Sequence, residues 1–276
     1  MLDLMLCKTW DDKPLTGKRI AEPKEDGWRA TWQEGKVWGR DRGRGMAQYH
    51  HPRPLIEELE ALPWCELDGE MFAGCIGDTA SVIKTGKPEL IERTHYDVFD
   101  ILSLEGESLI GLPYSERRVI LASVIPPDAS GFVRNLRPFK FQDLSDPMAL
   151  AKLAVENGFE GLVFKDLGAP YLPGIESAYW TRLKPIEDED VLIVGALMGK
   201  DSLVGTLGAL LVENATGDRF KVGSGFKRED RSRLWKMHQA GTLAGQTVSI
   251  SKQADGKIVG RFSRFIRLRE DMLCPS

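Results

Sequence analysis

Short stretches of alternating apolar and polar residues occur along most of the chain, and this pattern is typical of strands in antiparallel sheets. It predicts strands at 19–24, 28–33, 36–40, 65–72, 95–102, 159–166 and 177–185. Apolar residues recur at helical spacing in 54–62, 114–124 and 147–158, which predicts three amphipathic helices. Ser115 is a possible N-cap of the helix at 114–124, and Asn157-Gly158 ends the helix at 147–158. The first two thirds of the chain therefore combine antiparallel strands with a few helices.

The last third has a different pattern. Short strands are predicted at 191–198, 208–213, 219–222, 247–252 and 257–266, with one helix at 227–240. Five short strands and a single helix fit a small β-barrel of the oligonucleotide-binding (OB) type. The acidic run at 186–190 follows a proline, and we interpret it as a hinge. The predicted fold is α+β, with an antiparallel-sheet domain at 1–186 and a small OB-fold domain at 187–276.

Charge is spread unevenly between these two parts. The net charge is −4, but residues 1–188 hold 23 Lys and Arg against 31 Asp and Glu, whereas residues 189–276 hold 14 against 10. The positive charge of the second part is concentrated at 219–236 and 261–269. A basic unit beside an acidic one suits a polyanionic partner, because the local field matters more than the net charge.

The N-terminus and the cysteines indicate an intracellular protein. The first residues lack the basic region and the long apolar run of a signal peptide, and no stretch approaches the roughly 20 apolar residues that span a bilayer. The four cysteines have no C-x-x-C spacing, so we expect reduced thiols rather than a disulfide framework or a zinc site. The expected location is the cytoplasm, without membrane contact.

Lys24 is the candidate nucleophile. It ends a predicted strand and is followed by Gly27 and Arg29. A lysine amine attacks phosphorus only when unprotonated, so its pKa must be lowered or its proton removed in the site. Gly27 permits a tight turn or a close backbone approach, and Arg29 is a planar donor suited to ribose or phosphate oxygens. A solvated, charged strand end is the alternative interpretation of this stretch.

Carboxylates and cations recur farther along the chain at positions that fit a nucleotide site. Asp68 and Glu70 share one face of a predicted strand and can hold Mg²⁺ or a ribose hydroxyl, although solvated acids on an edge strand would look the same. Glu160 opens an apolar strand and needs a partner, which is a metal, a nucleotide or a simple salt bridge. Arg182 and Lys184 share a strand face, and an anion such as a triphosphate would relieve their repulsion.

The remaining polar motifs favour structural roles. The four histidines are scattered, and none has neighbours in sequence that would make a metal site or a hydrolase triad. The Gly-rich stretch 222–226 lacks the lysine of a P-loop.

Six motifs in one order carry a resemblance to a known family. They are Lys-x-Asp-Gly-x-Arg at 24–29, Glu-Leu-Asp-Gly-Glu at 66–70, Tyr-Asp-Val-Phe-Asp at 96–100, Glu-Gly-Leu-Val-Phe-Lys at 160–165, Trp-Thr-Arg-Leu-Lys-Pro at 180–185 and the arginine-rich segment 261–271. The set resembles the motifs of the ATP-dependent DNA ligase and mRNA-capping superfamily, with the last motif in its DNA-ligase form. The resemblance covers nearly the whole chain and is closest to compact, two-domain ligases of bacteriophages and bacteria.

The resemblance implies an adenylation domain followed by the OB-fold domain, and an enzyme that seals nicked double-stranded DNA with ATP. Lys24 would form a covalent bond to AMP, and Mg²⁺ or Mn²⁺ would be held by Asp68, Glu70 and Glu160. The implied nucleotide-binding residues are Glu22 for adenine, Arg29 and Glu70 for ribose, Phe99 stacked on the base, Arg182 and Lys184 for the phosphate charge, and Glu160 and Arg40, of which Arg40 later contacts the nick phosphate. A strand aromatic such as Phe99 is more often plain core. The implied contacts to DNA or pyrophosphate are Arg42, Arg261, Arg264, Arg267, Arg269 and Asp271. Arg42 is also the alternative to Arg40 as the residue that contacts the nick phosphate.

Three positions depart from the family pattern. Met272 stands where a lysine usually follows the last motif, Ser263 replaces a usual proline, and Arg182 replaces a common lysine. The alternatives in the superfamily are an RNA ligase or a capping guanylyltransferase, and a non-catalytic DNA-binding module is the alternative from another class. A monomer is expected, in the host cytoplasm if the protein is phage-encoded.

Overall fold

The structure is a computed structural model that describes residues 2–40, 45–139, 146–253, 259–260 and 263–269. The chain divides into two compact units, Met1–Leu183 and Lys184–Ser276. None of the helices within these described residues is long and apolar enough to cross a membrane.

The first unit combines eleven strands with five helices among its described residues. The strands are β1 (Leu6–Thr9), β2 (Arg19–Lys24), β3 (Trp28–Gln33), β4 (Lys36–Gly39), β5 (Gln48–Tyr49), β6 (Cys65–Phe72), β7 (His95–Leu104), β8 (Glu107–Ser108), β9 (Val133–Asn135), β10 (Gly161–Asp166) and β11 (Glu176–Leu183). The helices are α1 (Arg53–Glu60), α2 (Ile76–Thr85), α3 (Pro88–Ile91), α4 (Tyr114–Val124) and α5 (Pro147–Glu156).

These strands form two sheets. The larger has the order β5-β4-β3-β6-β7-β8, with β9 added parallel to β7, and the smaller has the order β1-β11-β10-β2. Leu102 of β7 and Trp180 of β11 are both buried in one apolar cluster with Met5 and Tyr171, so this cluster packs the two sheets against each other. A second core lies on the larger sheet beneath α1 and α4, and a third lies under α5.

In the part that the structure describes, the second unit is a single antiparallel sheet with one α-helix. Its elements are β12 (Ile186–Met198), a 3₁₀ turn (Asp201–Leu203), β13 (Leu207–Glu213), β14 (Arg219–Val222), α6 (Arg228–Gln239), β15 (Thr247–Gln253) and β16 (Arg264–Leu268). The sheet order is β14-β13-β12-β15-β16, and a parallel bridge between Ser224 and Arg264 links the chain just after β14 to β16. The two ends of the sheet therefore meet, and Leu234 of α6 is buried in the core of this unit.

The α+β fold class with antiparallel sheets is confirmed. β2, β3, β6, α4 and β14 have the predicted bounds, because each carries an uninterrupted pattern. The predicted helix end at Asn157-Gly158 is also found, since Asn157 is the C-cap of α5 and Gly158 has a φ of 90°. Ser115 is not the N-cap of α4, because the helix begins at Tyr114 and Pro113 takes the cap position.

The predicted hinge at 186–190 is instead regular strand. These residues begin β12 and pair with β15, from Ile186 opposite Gln253 to Asp190 opposite Ser249. A partner strand satisfies their backbone groups, which the charge of the run alone does not reveal. The division between units falls between Leu183 and Lys184, three residues before the predicted domain boundary after residue 186.

Candidate nucleotide site

Lys24 stands beside Glu160 because of strand pairing. β2 and β10 are antiparallel, with Lys24 opposite Gly161, and the Glu160 N–H donates to the Lys24 carbonyl at 2.8 Å. This register brings the Glu160 carboxylate to 2.7 Å from the Lys24 Nζ. Burial lowers the pKa of Lys24, but the charges of Glu160 and Glu70 outweigh it, so the pKa is raised. The lysine is an ammonium ion in the nucleotide-free protein.

Glu70 faces Lys24 from the neighbouring sheet. Burial raises the pKa of its carboxyl to about 7, against the opposing effects of Lys24 and Arg29. This group therefore changes its charge near neutral pH, next to the candidate nucleophile. Glu70 and Glu160 together give Lys24 two acidic neighbours from two different sheets.

Asp68 is engaged by Arg29 and Tyr171. The guanidinium of Arg29 donates from Nε to Oδ1 at 3.0 Å and from Nη2 to Oδ2 at 2.5 Å, and the Tyr171 hydroxyl donates to Oδ2 at 2.8 Å. Asp68 is fully buried, and both of its oxygens accept these bonds. Asp68 thus holds Arg29 in place, and its predicted role as a metal ligand has no support from this geometry.

Gly27 is required by a neighbouring strand. A Cβ at this position would lie 2.3 Å from the Met71 carbonyl oxygen of β6. Real Cβ atoms do not approach backbone oxygens so closely, so a side chain here would push β6 away from the turn between β2 and β3. The close approach anticipated at Gly27 is therefore made to β6, which also carries Asp68 and Glu70.

A buried lysine and three aromatic rings form another wall of the site. The Lys165 Nζ lies 4.1, 4.2 and 4.7 Å from the ring centroids of Phe99, Trp180 and Tyr114. The same Nζ lies 2.7 Å from Glu22 Oε2, and the Tyr114 hydroxyl donates to the other oxygen of Glu22. Burial lowers the pKa of Lys165, partly offset by the charge of Glu22. Glu22 is thereby held in one orientation.

Lys165 belongs to the motif at 160–165, but no role was predicted for it. The available signal was a lysine inside an apolar strand, which requires a partner when buried. Nothing in the local pattern identified Glu22 as that partner.

Several of these groups line one cavity in the first unit, which has a volume of about 390 Å³. A volume of this order is typical of small-molecule sites. The predicted residues that line it are Glu22, Lys24, Arg29, Arg40, Glu70, Phe99 and Arg182. Arg40 and Arg182 add two cations to a lining that also carries carboxylates and the aromatic rings of Phe99 and Trp180.

Asp68 and Glu160 do not line the cavity, but each contacts a residue that does. The remaining predicted residues lie apart from the lining groups or outside the described chain. Lys184 follows the end of β11 and begins the second unit, so it does not share a strand face with Arg182. Arg264 and Arg267 are exposed on β16 of the second unit, and Arg269 donates to Asp190 within that unit. The predictions for Arg42, Arg261 and Asp271 lie outside the described residues.

His95 has partners that the sequence did not reveal. Its Nε2 lies 3.1 Å from Asp97 Oδ2, and one donor atom from each of His95, Asp97 and Glu25 lies within 4.8 Å of the others. No histidine was predicted to join such a set, whereas the structure brings His95 together with Asp97 and Glu25. Glu25 comes from the turn between β2 and β3, so its approach depends on tertiary structure.

Comparisons with known proteins identify the family of each unit. The family model of the ATP dependent DNA ligase domain matches residues 5–184, and that of the DNA ligase OB-like domain matches residues 198–269. The DNA ligase of Methanosphaerula palustris is 30% identical over 197 residues, which cover 63% of this chain and 34% of that protein. The DNA ligase of Thermococcus fumicolans is 30% identical over 209 residues, covering 66% of this chain and 37% of that protein.

The chain spans about a third of the length of the curated relatives it matches. Among solved structures, a Lig E DNA ligase superposes with a TM-score of 0.73 at 22% identity, covering 97% of this chain and 99% of that chain. This last likeness shows the fold alone. The ligase family model matches most of the first unit, including the strand that carries Lys24. The chain therefore belongs to the family of ATP-dependent DNA ligases.

Proposed function

We propose that the protein is an ATP-dependent DNA ligase that seals nicks between 3′-hydroxyl and 5′-phosphate ends through a lysine-AMP intermediate. The observation that carries the proposal is the position of Lys24. Its amine lies 2.7 Å from Glu160 and lines a cavity of about 390 Å³ that the rings of Phe99 and Trp180 also line. The transfer of a nucleotide to lysine requires an amine, acidic neighbours and an aromatic surface for the base.

In the first step the Lys24 nitrogen attacks the α-phosphorus of ATP. The N–P bond forms, the bond from phosphorus to the bridging oxygen breaks, and pyrophosphate leaves. The amine must lose a proton first, because it is an ammonium ion in the free protein. Glu160 is the acceptor within hydrogen-bonding distance of Nζ, and Glu70 is a second carboxyl whose pKa of about 7 allows proton exchange at neutral pH.

Cations around the cavity support binding of the phosphates. Arg40 and Arg182 line it and would neutralise phosphate charge, which is the main catalytic requirement of phosphoryl transfer. Arg29 is fixed by two hydrogen bonds to Asp68, so it can present its remaining donor edge to a ribose without reorganising.

Selection of adenine follows from Glu22 and Phe99. Glu22 is held by Lys165 and Tyr114, and as a carboxylate it accepts hydrogen bonds from an exocyclic amine such as that of adenine. Guanine would present a carbonyl oxygen in the corresponding position, and this oxygen would be repelled. Phe99 supplies the ring on which the base would stack.

The residues present also fit a divalent cation. Glu70 and Glu160 are two carboxylates on either side of Lys24, and oxygen donors of this kind are the ligands that Mg²⁺ and Mn²⁺ take. Such an ion, when bound, supplies positive charge for the phosphate oxygens. With the ion present these carboxylates would also hold the proton of Lys24 less strongly.

In the later steps AMP would pass to the 5′-phosphate of the nick, and the 3′-hydroxyl would then displace it. The second unit supports DNA as the partner through its basic character and through Arg264 and Arg267, exposed on β16. Contacts of this kind are made to DNA phosphates and weaken steeply with salt. A monomer in the cytoplasm stays a prediction.

A nick-sealing assay tests the proposal. A labelled nicked duplex is incubated with the protein, Mg²⁺ and either ATP or GTP, beside the Lys24→Ala variant and a nicked RNA duplex. We expect a sealed DNA strand with ATP only, and no product with the variant. Sealing of RNA alone would establish an RNA ligase instead, and a wild-type protein that seals neither substrate would refute the proposal.

A further inference from the structure

A second set of metal-binding side chains lies at the edge of the nucleotide cavity. His95 and Asp97 are two apart on β7 and therefore share a face of the larger sheet. Glu25 reaches the same place from the turn between β2 and β3, and Glu25 and Asp97 both line the cavity. Glu70 and Glu160 do not belong to this set.

The spacing of the donor atoms suits a cation. The His95 Nε2 and Asp97 Oδ2 are 3.1 Å apart, and all three donor atoms lie within 4.8 Å of one another. Metal–ligand bonds of about 2.1 Å place neighbouring ligands roughly 3.0–3.4 Å apart in octahedral or tetrahedral geometry. The His95–Asp97 pair already has this separation, and a small movement of Glu25 would complete three ligands.

Two of the three ligands are held by the sheet. His95 pairs with Phe72 across β6 and β7, and the Phe72 ring packs edge-on against the imidazole at 5.4 Å between centroids. Asp97 is buried, with 8% of its surface exposed, so its carboxylate has little freedom. Ligands fixed in this way lose little entropy when a cation binds.

The donor types favour one class of ion. Mg²⁺ prefers oxygen ligands alone, whereas an imidazole with carboxylates suits first-row transition metals and zinc. Two carboxylates and a neutral imidazole carry two negative charges, which match a divalent cation.

We propose that Glu25, His95 and Asp97 bind one divalent cation of the Mn²⁺ or Zn²⁺ class at the edge of the cavity. This site is separate from the Mg²⁺ ligands Glu70 and Glu160. It does not depend on the proposed ligase activity, because the protein alone supplies all three ligands.

The test is a titration of the nucleotide-free protein with MnCl₂ in excess MgCl₂, followed by electron paramagnetic resonance of unbound Mn²⁺. We expect one Mn²⁺ per chain, bound at least about tenfold more weakly by His95→Ala and by the milder Asp97→Asn. The exposed His50 provides the matched control, and His50→Ala should bind like the wild type. ZnCl₂ titrations by calorimetry should give the same order of variants.

A second readout needs no variant of the site. Mn²⁺ bound there should broaden the ring signals of His95 in a proton–carbon correlation spectrum and spare those of His50. Equal affinity in wild type, His95→Ala and Asp97→Asn would overturn the proposal, as would unbroadened His95 signals under saturating Mn²⁺. Because no ATP is present, failure of the ligase reaction would not affect either result.

Discussion

Replacing Asp68 by asparagine tests whether this residue positions Arg29 or holds a metal. Asp68 is fully buried and accepts two hydrogen bonds from Arg29, at 3.0 and 2.5 Å, and one from Tyr171 at 2.8 Å. Asparagine keeps the shape but removes the charge, so the Arg29 guanidinium, only 15% exposed, remains without its counter-ion. Breaking a buried ion pair costs about 3–5 kcal/mol, and the amide oxygen of asparagine still accepts a bond, so we expect about 3 kcal/mol.

The assays are denaturant or thermal unfolding and a titration of lysine adenylation with ATP and Mg²⁺. A loss of about 3 kcal/mol lowers the Tm by roughly 6–12 °C for a unit of this size. The KM for ATP should rise, because Arg29 is no longer fixed, while the Mg²⁺ concentration for half-maximal rate should stay the same. Tyr171→Phe is the control that keeps the Arg29–Asp68 charge pair. It removes the hydrogen bond to Asp68 and the one that the Tyr171 hydroxyl accepts from the Met5 N–H, so it should cost about 2 kcal/mol and leave the Mg²⁺ requirement unchanged.

One pattern of results would refute this reasoning. If Asp68→Asn unfolded like the wild type but required much more Mg²⁺, Asp68 would be a metal ligand, as its position beside Glu70 in the sequence predicts. The hydrogen bonds to Arg29 would then be incidental to stability.

Three further predictions follow from the same unit. Glu70→Gln should be more stable than the wild type at pH 8 and equal to it at pH 4. The pKa of the Glu70 carboxyl rises from 4.5 to about 7 on folding, so the wild-type protein loses stability as the pH rises through that window. Urea unfolding should show a difference in unfolding free energy of about 1–3 kcal/mol at pH 8 and none at pH 4, from 1.36 kcal/mol per pH unit. Phe99→Ala should raise the KM for ATP about tenfold through lost stacking, while Phe99→Tyr restores it; steady-state adenylation measures both, and an unchanged KM in Phe99→Ala would show that the ring is plain core. Arg117→Met should lower the free energy of unfolding by about 3–5 kcal/mol, because it leaves the buried Asp100 carboxylate without its counter-ion, and adding Asp100→Leu should recover most of this loss. Urea unfolding that showed no recovery in the double variant would contradict the ion-pair account.

The local pattern was sufficient for the strand and the turn around Lys24. β2 and β3 have the predicted bounds because alternation, a turn with glycine and a second alternating stretch are short-range signals. Lys24 and Arg29 line the cavity together, as their positions around this turn predicted, and they are joined by Glu22, whose place in the site only the family resemblance implied.

The partners of these residues depend on pairing between distant strands, which the local pattern does not record. Glu160 reaches Lys24 only through the register of β10 against β2. Alternation placed Asp68 and Glu70 on one strand, but it could not tell which carboxylate Arg29 would engage. Lys165 and His95 were passed over for the same reason, since Glu22 and Glu25 are far from them in sequence.

In the second unit, the charge pattern led to a wrong prediction of backbone structure. An acidic run after a proline is typical of a linker, yet here it pairs with β15 along its length. Asp190 is one of its acids, and it accepts hydrogen bonds from Ser249 and Arg269. The charged run is therefore a strand paired with β15 on one side, and this pairing depends on residues about 60 positions away, so the local charge pattern does not reveal it.

The central claim is that Lys24 carries AMP. The most direct measurement is the intact mass of the protein after incubation with ATP and Mg²⁺, for wild type and Lys24→Ala, with GTP in parallel and the starting mass as reference. The account predicts a gain of one AMP with ATP only, absent from the variant. A gain in Lys24→Ala equal to that of the wild type, or no gain in a wild type that was unadenylated at the start, would contradict it.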